Sequence, residues 1–367
     1  MRVKIRPFDE LRAALSNVEG RDSGFGIRTA APLAGRPRRG TVGRGWPGRF
    51  PSARRQDRRR SAEHRWERPG QDPRPTRNRL RVAVSRLTAA IVALQLLTLA
   101  ADAQQAPRRI ISLVPSATEM LFTMGAGPRV AAVSSYDRFP PEVERLPRVG
   151  ALVDPDVERI LSLRPDLVVA YASQVDLLAQ LRRAGIPVYA YRHGSLADIT
   201  SGMRDLGTRI GAPAEAERAA AELERGLAEV RASVAGRPRP RTLLVIGREP
   251  QSLRAVSVSG GFGFLHDLLD LAGGDNVFGD VKRESMMVAT ETILAKQPDV
   301  ILELHYSDSA SRATEARERD AWKLLPGVPA VRNGRVRLLY GGELVVPGPR
   351  VIFTARAFAR ALHQPGG

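Results

Sequence analysis

The chain of 367 residues contains no cysteine. That excludes a disulfide framework and a lipid-modified cysteine alike. Nor is there a bilayer-spanning segment where one is first sought: the apolar run Leu87 to Ala100 has 14 residues, short of the roughly 20 a membrane helix needs. Histidine is scarce, with His64, His193, His266, His305 and His363 scattered along the chain. The cluster of three histidines and a carboxylate expected of a zinc- or manganese-binding protein is missing. The net charge of +18 is also absent from most of the molecule. Residues 1–86 hold 23 Lys and Arg against 8 Asp and Glu, so +15 lies there and about +3 in the remainder. A basic nucleic-acid surface is therefore not expected beyond residue 86.

What is present begins with a leader. Residues 1–78 are basic, and from 20 to 78 they are rich in Arg, Gly and Pro without an apolar period of 2 or 3.6. Such a stretch buries too little surface to offset its ordering entropy. Two readings stand: an arm for nucleic acid or an acidic surface, or an upstream start codon so that residues 1–78 are not translated. Residues 79–103 then read as a signal peptide. Arg77, Arg79, Arg81 and Arg86 form the basic region, Leu87 to Ala100 the apolar one, and Ala101-Asp102-Ala103 an A-x-A cleavage site. The expected mature chain starts at Gln104. Exported without a lipid anchor, it is expected free in a periplasm, as a monomer.

The mature chain reads as alternating strands and helices. Ile110–Val114, Val130–Val133, Leu167–Ala170 and Ile186–Tyr191 are strand-like in the first half. Thr242–Ile246, Val300–Leu304 and Val336–Leu339 are strand-like in the second. Ser116 and Glu119 have the spacing of a capping box, Asp154-Pro155 that of a helix start, and Ser195 with Asp198 that of a further cap. Ala212 to Gly236 consists almost wholly of strong helix formers. The segment VERILSLRPDLVVA, from Val157, returns 133 residues later as TETILAKQPDVILE, from Thr290. Two copies in register imply two similar lobes. The expected fold is α/β: two Rossmann-like βα lobes, 104–211 and 237–367, joined by a single long helix over 212–236; the resemblance given below implies a ligand cleft between them.

Enzymatic signals are weak. Ser116 has a capping role available, and no Ser/His/Asp constellation appears at recognisable spacing. SGGFGF, from Ser259, is not G-x-G-x-x-G and lacks the Lys-Ser/Thr of a phosphate loop. The chain is expected not to be an enzyme.

RIISLVPSATEMLFTMGAG, VSSYDRFPP, VERILSLRPDLVVA, LLDLAGGDNVF and TETILAKQPDVILE, in this order behind a signal peptide, resemble the periplasmic binding proteins of cobalamin, haem and ferric-siderophore ABC importers. The likeness spans about Arg108 to Gln364 and is nearest to the cobalamin-binding member, which has a similar Ser-Ser-Tyr then Pro-Pro segment. The resemblance implies capture of a metal-containing macrocycle or chelate, cobalamin first and haem or a ferric siderophore as alternatives. It implies delivery to a dimeric membrane permease, no intrinsic cofactor and no nucleic-acid partner. Glu158 and Glu291 match the glutamates that dock on permease arginines. Each also stands in a helix first turn, where the macrodipole alone favours an acid.

For the ligand, Tyr136 and Tyr171 match cleft aromatics of the cobalamin-binding member. Leu152 stands where a cleft Trp is expected, so one aromatic wall is lost. Phe262, in the Gly-rich segment, joins this set. Arg192 and Arg248, after strands, are candidate donors to an anionic ligand. His193 and His305 follow strands, and His305 or Tyr306 is a candidate axial ligand to the metal of a bound chelate. His266 is expected to be packing.

Overall fold

The computed structural model describes residues 106–307 and 309–364. The leader, the signal segment, the cleavage site at Ala103 and His64 lie outside them. Among the described residues no helix is long and apolar enough to cross a membrane.

The first half builds a four-stranded sheet. In chain order it comprises β1 (Ile110–Ser112), α1 (Pro115–Thr123), β2 (Val130–Val133), α2 (Val157–Ser162), β3 (Leu167–Tyr171), α3 (Val175–Arg183) and β4 (Val188–Tyr191). The strand order is β2-β1-β3-β4 and every pairing is parallel. The order reverses between β1 and β3, so the loops after those strands diverge and leave a crevice at their carboxyl ends.

Helices α4 (Leu196–Arg209) and α5 (Pro213–Ser233) lead to the second half. There β5 (Arg241–Gly247), β6 (Val256–Ser259), α6 (Phe264–Leu271), β7 (Asp275–Asn276), β8 (Ser285–Val288), α7 (Thr290–Lys296), β9 (Val300–His305), α8 (Arg312–Ala321), α9 (Pro329–Arg332), β10 (Val336–Tyr340) and α10 (Val351–His363) follow. The order β10-β9-β5 is parallel, and β6 and β8 extend the sheet antiparallel. That antiparallel extension has no counterpart in the first lobe and was not expected from the sequence.

Strand alternation sorts the core. Ile110, Leu167 and Val169 face one hydrophobic cluster while Ile111, Val168 and Ala170 face another. In the second lobe Leu244, Val300 and Leu302 join the first of these clusters, and Leu243, Val245 and Ile301 a third. One face of each sheet thus shares a single core, filled between them by Ala216, Ala220, Leu223, Leu227 and Val230 of α5 and by Phe358 of α10. The other face of each sheet has its own core, which covers a period-2 pattern with helices on both sides.

Helix α5 has 21 residues, about 31 Å at 1.5 Å per residue. It is not a bare rod. Gly207 of α4 lies so close to it that a Cβ there would come within 2.1 Å of the Ala216 side chain. Arg204 of α4 clasps Glu217 and Glu224 of α5 at 2.7 Å each.

Three local expectations change. Ser116 and Glu119 do not form a capping box: Pro115 opens α1 behind Val114 with no side-chain cap, which puts Ser116 inside the first turn, and Glu119 turns to another partner, described below. The second helix starts at Val157 rather than Pro155, with Asp156 accepting from the Arg159 N–H. Gly150 to Pro155 instead closes a tight loop held by a backbone bridge. At Ser195 the expected cap is present, with Asp198 completing a capping box.

Candidate functional site

The repeated segment occupies equivalent positions in the two lobes. It supplies α2 and β3 in one, α7 and β9 in the other, and β3 and β9 each pair with the first strand of their lobe. The turn between helix and strand is closed by corresponding hydrogen bonds, short of one in the second lobe where Pro240 has no N–H. Asp166 accepts from the Arg108 and Arg109 N–H groups, and Asp299 accepts from the Arg241 N–H. The Arg109 guanidinium donates to the Leu163 carbonyl and that of Arg241 to the Lys296 carbonyl, the same position. Arg164 and Gln297 both take left-handed backbone, with φ of 47° and 46°. Ile160 and Ile293 are both fully buried, each in the outer core of its lobe. Glu158 and Glu291 are both exposed.

At the carboxyl ends of the first sheet, three rings converge. Tyr171 meets Tyr191 edge-on at 6.1 Å and His193 at 6.1 Å, while His193 stacks on Tyr191 at 6.4 Å. Tyr171 and Leu152 are tied together by Gln174, whose side chain accepts from the Tyr171 N–H and donates to the Leu152 carbonyl. Tyr136 is half-buried in the adjoining loop, and its N–H donates to Ser134. That loop is organised by Asp137, which accepts from the backbone and hydroxyl of Ser134. Arg148 donates to the Ser134 and Asp137 carbonyls. Burial pushes the Asp137 carboxyl up to about 6, against the lowering effect of Ser134, Thr118 and Arg148. Burial likewise raises the Tyr171 phenol and pushes that of Tyr191 up to about 12.

The second lobe meets this surface with its own polar groups. Glu284 lies 3.7 Å from His193 Nε2. The Tyr191 hydroxyl donates to the Pro347 carbonyl at 3.2 Å, and the Leu196 N–H to Asp267 at 2.7 Å. Arg350 forks onto Glu119 of α1 at 2.7 and 3.0 Å and lies over the Phe139 ring at 4.1 Å. Burial raises the Glu119 carboxyl more than Arg350 lowers it. Phe262 is 51% exposed in the Gly-rich loop, whose Gly263 abuts the Glu284 side chain. The backbone of that loop is not free for phosphate: the Gly260 and Gly261 N–H groups donate to the Glu284 and Val281 carbonyls.

The remaining expected residues go elsewhere. Arg248 is not presented as a donor. Its side chain is 2% exposed, pairs with Glu303 at 2.9 Å and Glu318 at 3.0 Å, and lies over Trp322. A buried carboxylate pair demands a buried cation, and Arg248 answers that demand. Burial alone would raise the Glu303 carboxyl, yet His305, Arg248 and Trp322 hold it below the usual range. His305 turns Nε2 toward Glu303, 3.1 Å away without hydrogen-bond geometry, and stacks on Tyr340 at 4.7 Å, so this nitrogen is buried inside the lobe. The Tyr306 hydroxyl donates to the Ile246 carbonyl. Arg192 is exposed beside His193, and His266 lies against Asn276. Among the described residues no group of three or more His, Cys, Asp or Glu side chains is placed to hold a metal ion. A cavity of about 190 Å³ at the end of α5, lined by Arg231, Arg239 and Asp270, involves none of these side chains.

The sequence reading gave no site role to Tyr191, Glu284 or Arg350, and assigned Glu119 to a helix cap instead. Tyr191 was visible as a strand end; the others depend on which loops of the second lobe reach the first.

Two α/β lobes with rings and carboxylates facing each other across their junction define a two-lobed binding protein. The comparisons agree. The model of the periplasmic binding protein family matches residues 110–341. A vitamin B12-binding protein of Salmonella paratyphi A is 31% identical over 278 residues, 75% of this chain and 97% of the relative. One of Yersinia pestis is 32% identical over 216 residues, 58% of this chain and 74% of the relative. The crystal structure of the vitamin B12-binding protein BtuF of Vibrio cholerae superposes with a TM-score of 0.60 at 28% identity, over 70% of this chain and 97% of that one. A periplasmic heme-binding protein of Pseudomonas aeruginosa gives 0.61 at 25%, over 71% and 94%. The chain belongs to the periplasmic binding protein family. It is a substrate-binding transport protein of the ABC importer class and not an enzyme.

Proposed function

We propose that the chain captures cobalamin between its lobes and delivers it to a dimeric ABC importer permease. The observation that carries this reading is the pair of partly exposed rings Tyr171 and His193 at the strand ends of the first lobe, backed by the buried Tyr191 and faced by Glu284 of the second. Flat aromatic walls with a few oriented polar groups suit a large, flat, amide-fringed macrocycle, and relatives named for vitamin B12 binding support the choice. Tyr136, Leu152, Phe262 and Arg192 complete the proposed contact surface. Residues 104–211 and 237–367 act as the lobes and 212–236 as their stiff connection. Export through residues 79–103, cleavage after Ala103 and a free, monomeric periplasmic form belong to the same reading.

The test is a spectroscopic titration of the purified protein with cyanocobalamin, haemin and a panel of ferric siderophores. One-to-one saturation by cyanocobalamin at submicromolar concentration is expected, weakened about tenfold or more in Tyr171→Ala, as for a buried aromatic anchor. A Soret shift on haemin addition that vanishes in His193→Ala, with no cyanocobalamin binding, selects haem instead. His193 is favoured over His305 there because it stands at the lobe junction.

Glu158 and Glu291 are proposed as the docking acids, one per lobe, pairing with basic groups of a two-fold permease. Their exposure at equivalent positions supports this. The double variant Glu158→Lys, Glu291→Lys is expected to abolish cobalamin uptake in a transport assay while ligand affinity stays unchanged. Normal uptake would defeat the assignment.

A further inference from the structure

The repeat shares more than its glutamates. Between Glu158 and Pro165 the residues alternate between exposed and buried in the same order as between Glu291 and Pro298. The buried positions are the same residue type in both copies, Ile160 with Ile293 and Pro165 with Pro298, as packing requires. The exposed positions are free to differ, and most do: Arg159 stands against Thr292, Ser162 against Ala295, Arg164 against Gln297. Two exposed positions do not differ. One is the glutamate. The other is a leucine, Leu161 in the first lobe and Leu294 in the second, 40% and 42% exposed.

A single exposed leucine needs no explanation. The same leucine retained at the same solvent position in both lobes, where its neighbours have diverged, does. Folding supplies only part of one: both helices bury their isoleucine fully, and although Leu294 lies beside Gly327, both leucines keep about two fifths of their surface in water. Glutamate and leucine stand three residues apart, which places them side by side on one helix face. Both helices lie on the outer face of their sheet, away from the core shared by the lobes.

We propose that Leu161 and Leu294 are the apolar anchors of the docking surface. Each seats in an apolar hollow of one permease subunit, beside the basic group that its glutamate meets. The partner is a two-fold pair of membrane subunits, because the surface is duplicated by the repeat and carries one acid and one leucine per copy. This rests on the docking reading and adds a division of labour to it. Exposed charge pairs steer and orient but hold weakly. An apolar side chain that loses its water on contact lengthens the complex.

The experiment is binding of the full chain to nanodiscs carrying the permease dimer of the cobalamin importer, at several salt concentrations. In Leu161→Ala, Leu294→Ala the dissociation rate is expected to rise about tenfold or more, with the salt dependence and the cyanocobalamin affinity unchanged. Leu161→Met, Leu294→Met should restore most of the lifetime. In Glu158→Gln, Glu291→Gln the association rate should fall and its salt dependence flatten. If the alanine pair binds like the wild type while the glutamine pair is impaired, the leucine proposal is overturned and the docking reading stands. If neither pair changes binding, both fall.

Discussion

Asp137 shows how a single side chain is shaped by position. It is fully buried in the Ser134–Asp137 turn, and its carboxyl is pushed up from 3.8 to about 6. The folded chain therefore holds a proton between about pH 4 and 6 that the unfolded chain has released. The associated stability is present below pH 4 and is lost as pH rises through 6. At pH 7 the buried charge costs about 3 kcal/mol at 1.36 kcal/mol per pH unit. Asparagine keeps an acceptor for the Ser134 N–H and cannot ionise. Asp137→Asn is expected to be more stable than the wild type at pH 7.5 by up to about 3 kcal/mol, with the gain shrinking toward pH 4. Urea unfolding at the two pH values reads the difference directly; an equal gain at both would show that charge burial is not the cause. The same scale explains Arg248. Its place after a strand looks like a cleft position in sequence, but two buried carboxylates nearby, Glu303 and Glu318, take its charge.

At the scale of the element, the repeated helix–turn–strand unit is legible in sequence almost completely. Pro165 with Asp166 and Pro298 with Asp299 mark the turn, and the apolar run after each becomes a buried strand. The left-handed residue between helix and proline is less obvious, because neither Arg164 nor Gln297 is a glycine. A Cβ in that conformation costs roughly 1–2 kcal/mol, offset in part by the greater unfolded-state freedom of glycine. Arg164→Gly is thus expected to stabilise by up to about 1 kcal/mol. Gln297→Gly should gain less, because the Gln297 amide also donates to the Leu294 carbonyl at 2.6 Å. Denaturant midpoints of the two variants check the order. Helix α1 went the other way: its Ser–Glu spacing signals a capping box, and the acid instead pairs with Arg350, 231 residues away.

For the whole molecule, the decisive feature is the core that runs from one sheet through α4, α5 and α10 to the other. Besides its own outer core, each lobe shares this one, and elements that share a core tend to open together. A single calorimetric transition is expected, although the chain has two sheets. At the contact of Gly207 with Ala216 there is no room for a Cβ. Gly207→Val should force α4 from α5, cost about 1–3 kcal/mol as overpacking does, and lower that one transition without splitting it. Two separate transitions would mean that the lobes fold independently and that α5 only tethers them.

The sequence by itself determined the parallel strands and the main helices, the two-lobed α/β class and the internal repeat, but not the antiparallel strands β6 and β8. These follow from local rules: apolar period, proline and glycine placement, and helix-forming composition. It also placed Tyr171 at a strand end and Glu158 and Glu291 at matching exposed positions. Only the tertiary structure decided which side chains meet. The junction of His193 with Glu284, the fork of Arg350 on Glu119 and the withdrawal of Arg248 and His305 toward Glu303 join residues from 2 to 231 positions apart. Burial of charge is a property of the packed whole, and no local pattern in the chain encodes it.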